Sequence, residues 1–301
     1  MRRAATAPAV LLLSTTLLLS ACDSSEPLPD PTAEPTSSSP STPASPTVAL
    51  DAATAEQLVI ARYDAVHGLP PTAPDEVDVD SAGEGVVAPG STEAERVAGA
   101  LNQAIELGVL DRGDVLVEAL EPPVPAGGDA ATASLCMSQN LRTTDLETGE
   151  ETGTAAPPDD WLQVQVAFER LDDAWLVTEI TAADPARCIP PSIEAATGQV
   201  WEVFAAARVE HESRGGGPDI GELESVVTER FAETLRSIGP FDPPAETPPG
   251  YTDFQLTEAT RSSAEGWACR DGELETVEWE LVSGRWLIDF AGQAGEEASP
   301  C

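Results

Sequence analysis

The groups in this chain that could do chemistry are few: five cysteines, two histidines and a large surplus of carboxylates. A thiol can be acylated, oxidised to a disulfide or used as a nucleophile, and its spacing helps to decide which. Cys22 stands apart, directly after Leu19, Ser20 and Ala21, whereas Cys136, Cys188, Cys269 and Cys301 form an even set that permits three pairings. His67 and His211 could serve as general bases, but each falls near the end of a helical pattern, where the helix dipole favours a histidine anyway. The acidic run DEVDVDSAGEG at 75–85 invites a calcium reading. Counting from Asp78, Gly83 occupies the position an EF-hand reserves for glycine. Ala82, however, stands at a ligand position and Pro89 at the last, so the run reads as a solvated loop. Zinc spacing, a glycine-rich phosphate loop and a G-x-S-x-G elbow are all missing from the sequence, so neither a metal nor a cofactor is expected.

The start of the chain suggests a fate for Cys22. Arg2 and Arg3 precede an apolar run from Val10 to Leu19, broken only by Ser14, Thr15 and Thr16, and then come the small residues Ser20 and Ala21. This is the layout of an export signal over residues 1–21, and the run is short for a permanent membrane span. Ala4, Ala5 and Thr6 do not continue a twin-arginine signal, so general secretion is the expected route. Leu19 to Cys22 resembles the lipobox of bacterial lipoproteins. That resemblance implies diacylglycerol on the Cys22 sulfur, an acylated new amino terminus, and a chain held at the outer face of the cell membrane. Two or three acyl chains anchor stably, each buried methylene adding about 0.8 kcal/mol.

Residues 22–48 then read as a tether of Pro, Ser, Thr and acidic residues, a composition that buries too little apolar surface to fold. Where its prolines impose polyproline II it extends by about 3.1 Å per residue. Its Ser and Thr beside Pro also resemble glycosylated stalks. The formal charge is −38, and losing Arg2 and Arg3 with the signal takes it to −40. Such a field repels phosphate backbones and anionic headgroups, so the expected partners exclude nucleic acid.

About 250 residues remain, enough for two domains. Residues 168–180, FERLDDAWLVTEI, align without a gap on 279–291, WELVSGRWLIDFA. Each copy reads as strand, two-residue turn and strand. Cys188 follows Trp175, and Cys301 follows Trp286, at nearly the same distance; Cys136 and Cys269 precede them on strand-like segments. A turn-rich stretch at 143–160 lengthens the first copy as an enlarged hairpin loop. Helical patterns lie upstream of both strand sets. In the first copy, Thr54 with Gln57 and Thr92 with Glu95 form capping-box pairs that open helices over 55–67 and 93–107, the latter closed by Gly108. In the second, a helix follows Ser192 to about His211, and another opens at Asp219 with Glu222. Leu223, Val227, Phe231, Leu235 and Ile238 recur along that helix until Gly239 and Pro240. The run Gly68 to Gly90 shows no regular element. Trp175 and Trp286 are expected to anchor the hairpins on the helices.

Helices first and antiparallel strands after imply an α+β fold, in two tandem domains at 49–190 and 191–301. If the halves are duplicates, each staples itself, Cys136 with Cys188 and Cys269 with Cys301, in an oxidising compartment. The element order with its x-W-x-apolar hairpin resembles the NTF2-like (SnoaL-like) superfamily, and the lipobox with tandem copies is similar to exported proteins of high-GC Gram-positive bacteria. That resemblance implies a curved sheet closing a cone around the helices, with a pocket at its mouth. The candidate pocket residues are then Tyr63, Asp64 and His67 in the first copy, and Glu210, His211 and Tyr251 in the second. With no catalytic constellation, the expected function is a non-catalytic binding or accessory module for another envelope protein or polymer. The alternative is a pocket enzyme or a carrier of a small ligand or lipid.

Overall fold

The computed structural model describes residues 49–153, 160–214, 220–238, 250–293 and 301; the signal, Cys22 and the whole tether lie outside them. The described residues form one compact unit with two hydrophobic cores, each built where helices cover a face of an antiparallel sheet. The architecture is α+β. The first half runs α1 (Ala52–His67), α2 (Thr92–Leu107), β1 (Val109–Ala119), β2 (Val124–Gly127), β3 (Ala130–Asp145), β4 (Leu162–Leu171) and β5 (Ala174–Arg187). Its sheet order is β1-β3-β4-β5, with β2 also on β3. The second half runs α3 (Pro191–Arg214), α4 (Ile220–Leu223), α5 (Glu229–Ile238), β6 (Tyr251–Ala259), β7 (Ser263–Arg270), β8 (Glu273–Val282) and β9 (Arg285–Gln293), with sheet order β6-β7-β8-β9.

The aligned hairpins are β4-β5 and β8-β9. Asp172 and Asp173, then Ser283 and Gly284, all take positive φ, so both turns have the primed twist that tight hairpins require. Both ladders also slip register at one equivalent point, Ala167/Phe168 and Glu278/Trp279. Alternation along β4 buries Val164, Val166 and Phe168, and along β8 it buries Glu275, Val277 and Trp279. A carboxylate therefore stands in a core-facing row.

The helix starts differ from the capping boxes. Asp51 caps α1 by accepting from Thr54 N at 2.7 Å, and Ser91 caps α2 by accepting from Ala94 N at 3.2 Å. A side-chain oxygen one residue before the helix reaches the free N–H groups of the first turn, whereas Thr54 and Thr92 already lie inside helices. Gly108 does close α2 with φ 68°. Gly113 in β1 has a different cause, because a Cβ there would meet Asn140 O of β3 at 1.9 Å.

The run 68–90 is ordered. It holds a 3-10 turn at Pro74–Glu76 and then a short extended piece, in which Val177 N donates to Val86 O and Ala88 N to Val177 O. The second half has the same device, with Ile288 N donating to Val226 O and Thr228 N to Ile288 O. Each final strand therefore carries a short parallel bridge, Val87 to Val177 and Val227 to Ile288. That bridge splits the expected single helix at 219–238 into α4 and α5, with Thr228 Oγ1 accepting from Phe231 N at the start of α5. Asp219, Gly239 and Pro240 lie outside the described residues. The stretch 143–160 is not all loop, since β3 continues to Asp145 to pair with β1, and Thr144 bridges to Glu151.

Trp175 and Trp286 are only partly buried; the deep anchors are Phe168 in the first core and Trp201, Phe204 and Trp279 in the second. The core-facing register of β4 and β8 puts Phe168 and Trp279 inward. Cys136 bonds Cys188 with Cα atoms 5.9 Å apart, and Cys269 bonds Cys301 at 5.6 Å. The first half also lends Cys136 of β3 and Trp161, just before β4, to the second core. Polar contacts lock the halves together. Glu118 accepts from Ser192 N at 2.6 Å and thereby caps α3, and Arg261 donates to Ser138 O at 2.6 Å and to Asp114 Oδ2 at 2.5 Å.

Candidate functional site

Helix α3 organises the second half. Ile193, Thr197, Trp201 and Phe204 recur at helical spacing on its buried face, and one turn later that face becomes charged at Arg208, His211 and Glu212. Arg208 donates to Glu212 Oε1 at 3.3 Å and to Glu275 Oε2 at 2.9 Å. Arg270 of β7 contacts Glu212 and lies 3.5 Å from Glu275. Two guanidinium groups and two carboxylates thus neutralise one another between helix and sheet. Tyr251 completes the group. Its hydroxyl donates to Glu275 at 3.1 Å, and the Arg208 and Arg270 guanidinium carbons lie 5.8 and 5.4 Å from its ring centroid. Burial pushes the Tyr251 hydroxyl well above its ordinary range, so it stays protonated as a hydrogen-bond donor.

Above this cluster, an open groove of about 620 Å³ separates the C-terminal half of α3 from the first residues of β6. Trp201, Ala205 and Val209 on the helix, with Tyr251 and Phe254 on the strand, make an apolar floor. Trp201 stacks on Phe254 at 5.7 Å and meets Tyr251 edge-on at 4.9 Å, which fixes the floor's shape. Glu202, Glu210 and Asp253 edge it with carboxylates, and Arg214 contacts Glu210. Four consecutive residues at the start of β6, Tyr251 to Phe254, line the groove, and β6 is the outer strand of its sheet.

The six expected pocket residues do not converge. Glu210 and Tyr251 share the groove, whereas His211 is buried next to Glu222, with Nε2 3.5 Å from Oε2. In the first half, Tyr63 and His67 stack at 5.7 Å and Asp64 is exposed to solvent. The Arg62 guanidinium lies 4.6 Å from the Tyr63 ring centroid and pairs with buried Glu93. Burial raises the Tyr63 hydroxyl above its usual range. His67 Nδ1 donates to the Asp111 carbonyl at 2.7 Å, and a small hollow of about 160 Å³ lies beside it. Burial holds this imidazole below its ordinary 6.5. An unfolded imidazole takes up a proton at that pH more readily than the folded one does. The stability contribution is therefore complete above 6.5 and is lost as pH falls below it. His67→Gln is expected to flatten this part of the urea-stability profile on acidification; an unchanged slope would mean that other groups carry it.

A further property was missed in the sequence, although the letters carry it. The chain has no lysine, so all fifteen basic residues are arginines. Every arginine among the described residues is engaged. All but two contact a carboxylate. The exceptions are Arg112, which donates to the carbonyls of Leu69, Pro70, Asp145 and Leu146, and Arg285, which donates to that of Ser225. The surface field is therefore set by surplus carboxylates. Among the described residues, no cluster of three His, Cys, Asp or Glu side chains is disposed to hold a metal ion, and no helix is long and apolar enough to cross a membrane.

No family model and no curated protein matches this chain. Among solved structures it is similar to the intermembrane-space region of the chloroplast protein ARC6, at 16% identity and TM-score 0.36, over 46% of this chain and 99% of that one. It is also similar to an NTF2-like protein involved in plasmid conjugation, at 8% identity and TM-score 0.26, over 82% of this chain and 97% of that one.

Proposed function

We propose that this chain is a lipid-anchored, non-catalytic binding module of the cell envelope, held at the outer face of the membrane through Cys22 and built from two NTF2-like halves. In this reading residues 1–21 are an export signal, residues 22–48 are a tether, and 49–190 and 191–301 are the two domains. The observation that carries the non-catalytic part is the use of the chemically competent groups as structural partners. His67 is spent on a backbone carbonyl, Tyr251 on a buried carboxylate, and His211 is enclosed beside Glu222, while the groove between α3 and β6 has an apolar floor. The partner is another envelope protein or polymer. Labelled palmitate or glycerol is expected to enter the protein in its host, and Cys22→Ala to release it to the medium or stall its processing. A processed Cys22→Ala protein still retained at the membrane would overturn the anchor. Crosslinking on intact cells should recover a partner; recovering none, together with measured turnover by the purified protein, would overturn the binding module.

A second reading, a small-ligand carrier or pocket enzyme, is favoured by one feature. Glu210 and Tyr251 converge on a groove whose volume suits a small molecule.

A further inference from the structure

We propose that the groove between α3 and the open edge of β6 receives an extended segment of a partner protein in which basic residues are interspersed with apolar ones. The inference rests on the binding-module reading and names its site and the chemistry of its partner.

Three observations carry it. The first is shape. The lining runs along α3 from Trp201 to Ser213, about 18 Å at the rise of an α-helix, and so matches roughly five extended residues. Open along its length, it suits a chain laid in it better than an enclosed compound. The second is the pair of walls. β6 is the outer strand of its sheet and pairs with β7 on one side, while past its far end Thr260 is bridged by Asp160 of the first half. Among the described residues, the stretch of β6 facing α3 has no strand partner on that side. A helix set beside an unpaired strand edge is the geometry in which an added strand gains main-chain hydrogen bonds on one side and side-chain contacts on the other. Asp253, at φ 52° in a register shift, limits that pairing to a short segment.

Charge complementarity is the third observation and decides the partner's character. Glu202 and Asp253 rim the groove, and among the described residues no arginine lines it and every arginine is already engaged. An acidic segment would be repelled. The chain's own tether is excluded on the same ground, since residues 23–48 carry Asp23, Glu26, Asp30 and Glu34 and no basic residue. A segment with lysine or arginine can lay its aliphatic stems on the aromatic floor and bring its charges to the rim.

The test uses the full-length protein in nanodiscs of neutral lipid and a blocked hexapeptide of alternating lysine and valine, followed by calorimetry and by amide exchange. Binding is expected to slow exchange at Tyr251 to Phe254 and to weaken with salt. Ala206→Trp, at an exposed groove position, should weaken it by at least about tenfold, and Glu202→Gln with Asp253→Asn by several-fold. Three results would overturn the proposal: equal binding of the peptide with glutamate in place of lysine, binding that survives Ala206→Trp, or equally tight binding of n-butylamine, which would assign the groove to small amines. Crosslinked partners recovered equally with wild type and Ala206→Trp would leave the binding module standing and remove this groove as its site.

Discussion

Glu275→Ala is expected to destabilise the protein by about 3–5 kcal/mol, the range found when one member of a buried ion pair is removed. Glu275 lies in the inward row of β8, with its side chain 5% exposed, and accepts from Arg208 and Tyr251 while facing Arg270. Without it, two guanidinium groups share Glu212 alone and the Tyr251 hydroxyl loses its acceptor. The cost lies in leaving charges unmatched. Removing the cluster as a unit, with Arg208→Met, Glu212→Leu, Arg270→Met and Glu275→Leu together, should therefore restore much of the loss. Urea unfolding followed by tryptophan fluorescence measures both. A single variant within about 1 kcal/mol of wild type would mean that the cluster is hydrated and weak.

The Cys136–Cys188 bond gives the second large effect. It closes a loop with a sequence separation of 52, for which the chain-entropy relation gives roughly 4 kcal/mol. Replacing both cysteines by alanine should therefore lower the melting temperature clearly. Cys136 is fully buried in the second core although its strand belongs to the first sheet, so the loss should be felt in both halves. The Cys269–Cys301 bond, at separation 32, should contribute nearly as much by loop closure but ties only the second sheet to the tail. Thermal scans of the two double variants and non-reducing peptide mapping check this. A melting temperature unmoved by loss of Cys136–Cys188, or a linked peptide containing Cys136 and Cys269, would refute it.

What the amino-acid order determined by itself is what depends on near neighbours. The hairpin turns at Asp172 with Asp173 and Ser283 with Gly284 are legible because residues that tolerate positive φ are set between alternating strands. Helix α2 is legible from the spacing of Val97, Leu101 and Ala104 and from Gly108 at its end. The likeness of the β4-β5 and β8-β9 hairpins and the cysteine pairing follow from comparing one half with the other. Glu210 and Tyr251, two members of the expected pocket set, line one groove. Asp64, His67 and His211 gave no convergent site, because a residue's place on a helix does not say what its side chain meets.

The tertiary structure decided the rest. Val226 and Val227 sit in a spacing that reads as one continuous helix, yet they form a bridge because Ile288, about sixty residues on, offers its N–H and C=O. Val86 to Ala88 have too short a pattern to register as extended, and only the edge of β5 draws them into a bridge. A carboxylate at Glu275 argues against a buried position until Arg208, Arg270 and Tyr251 are brought around it from three other elements. The groove is likewise a property of assembly. Its apolar floor lies on a helix and on a strand distant from it in sequence, and neither amphipathic pattern alone shows the gap the sheet leaves at its open edge. Local patterning sets which face of an element is apolar; long-range pairing sets what that face meets, and the candidate site depends on the second.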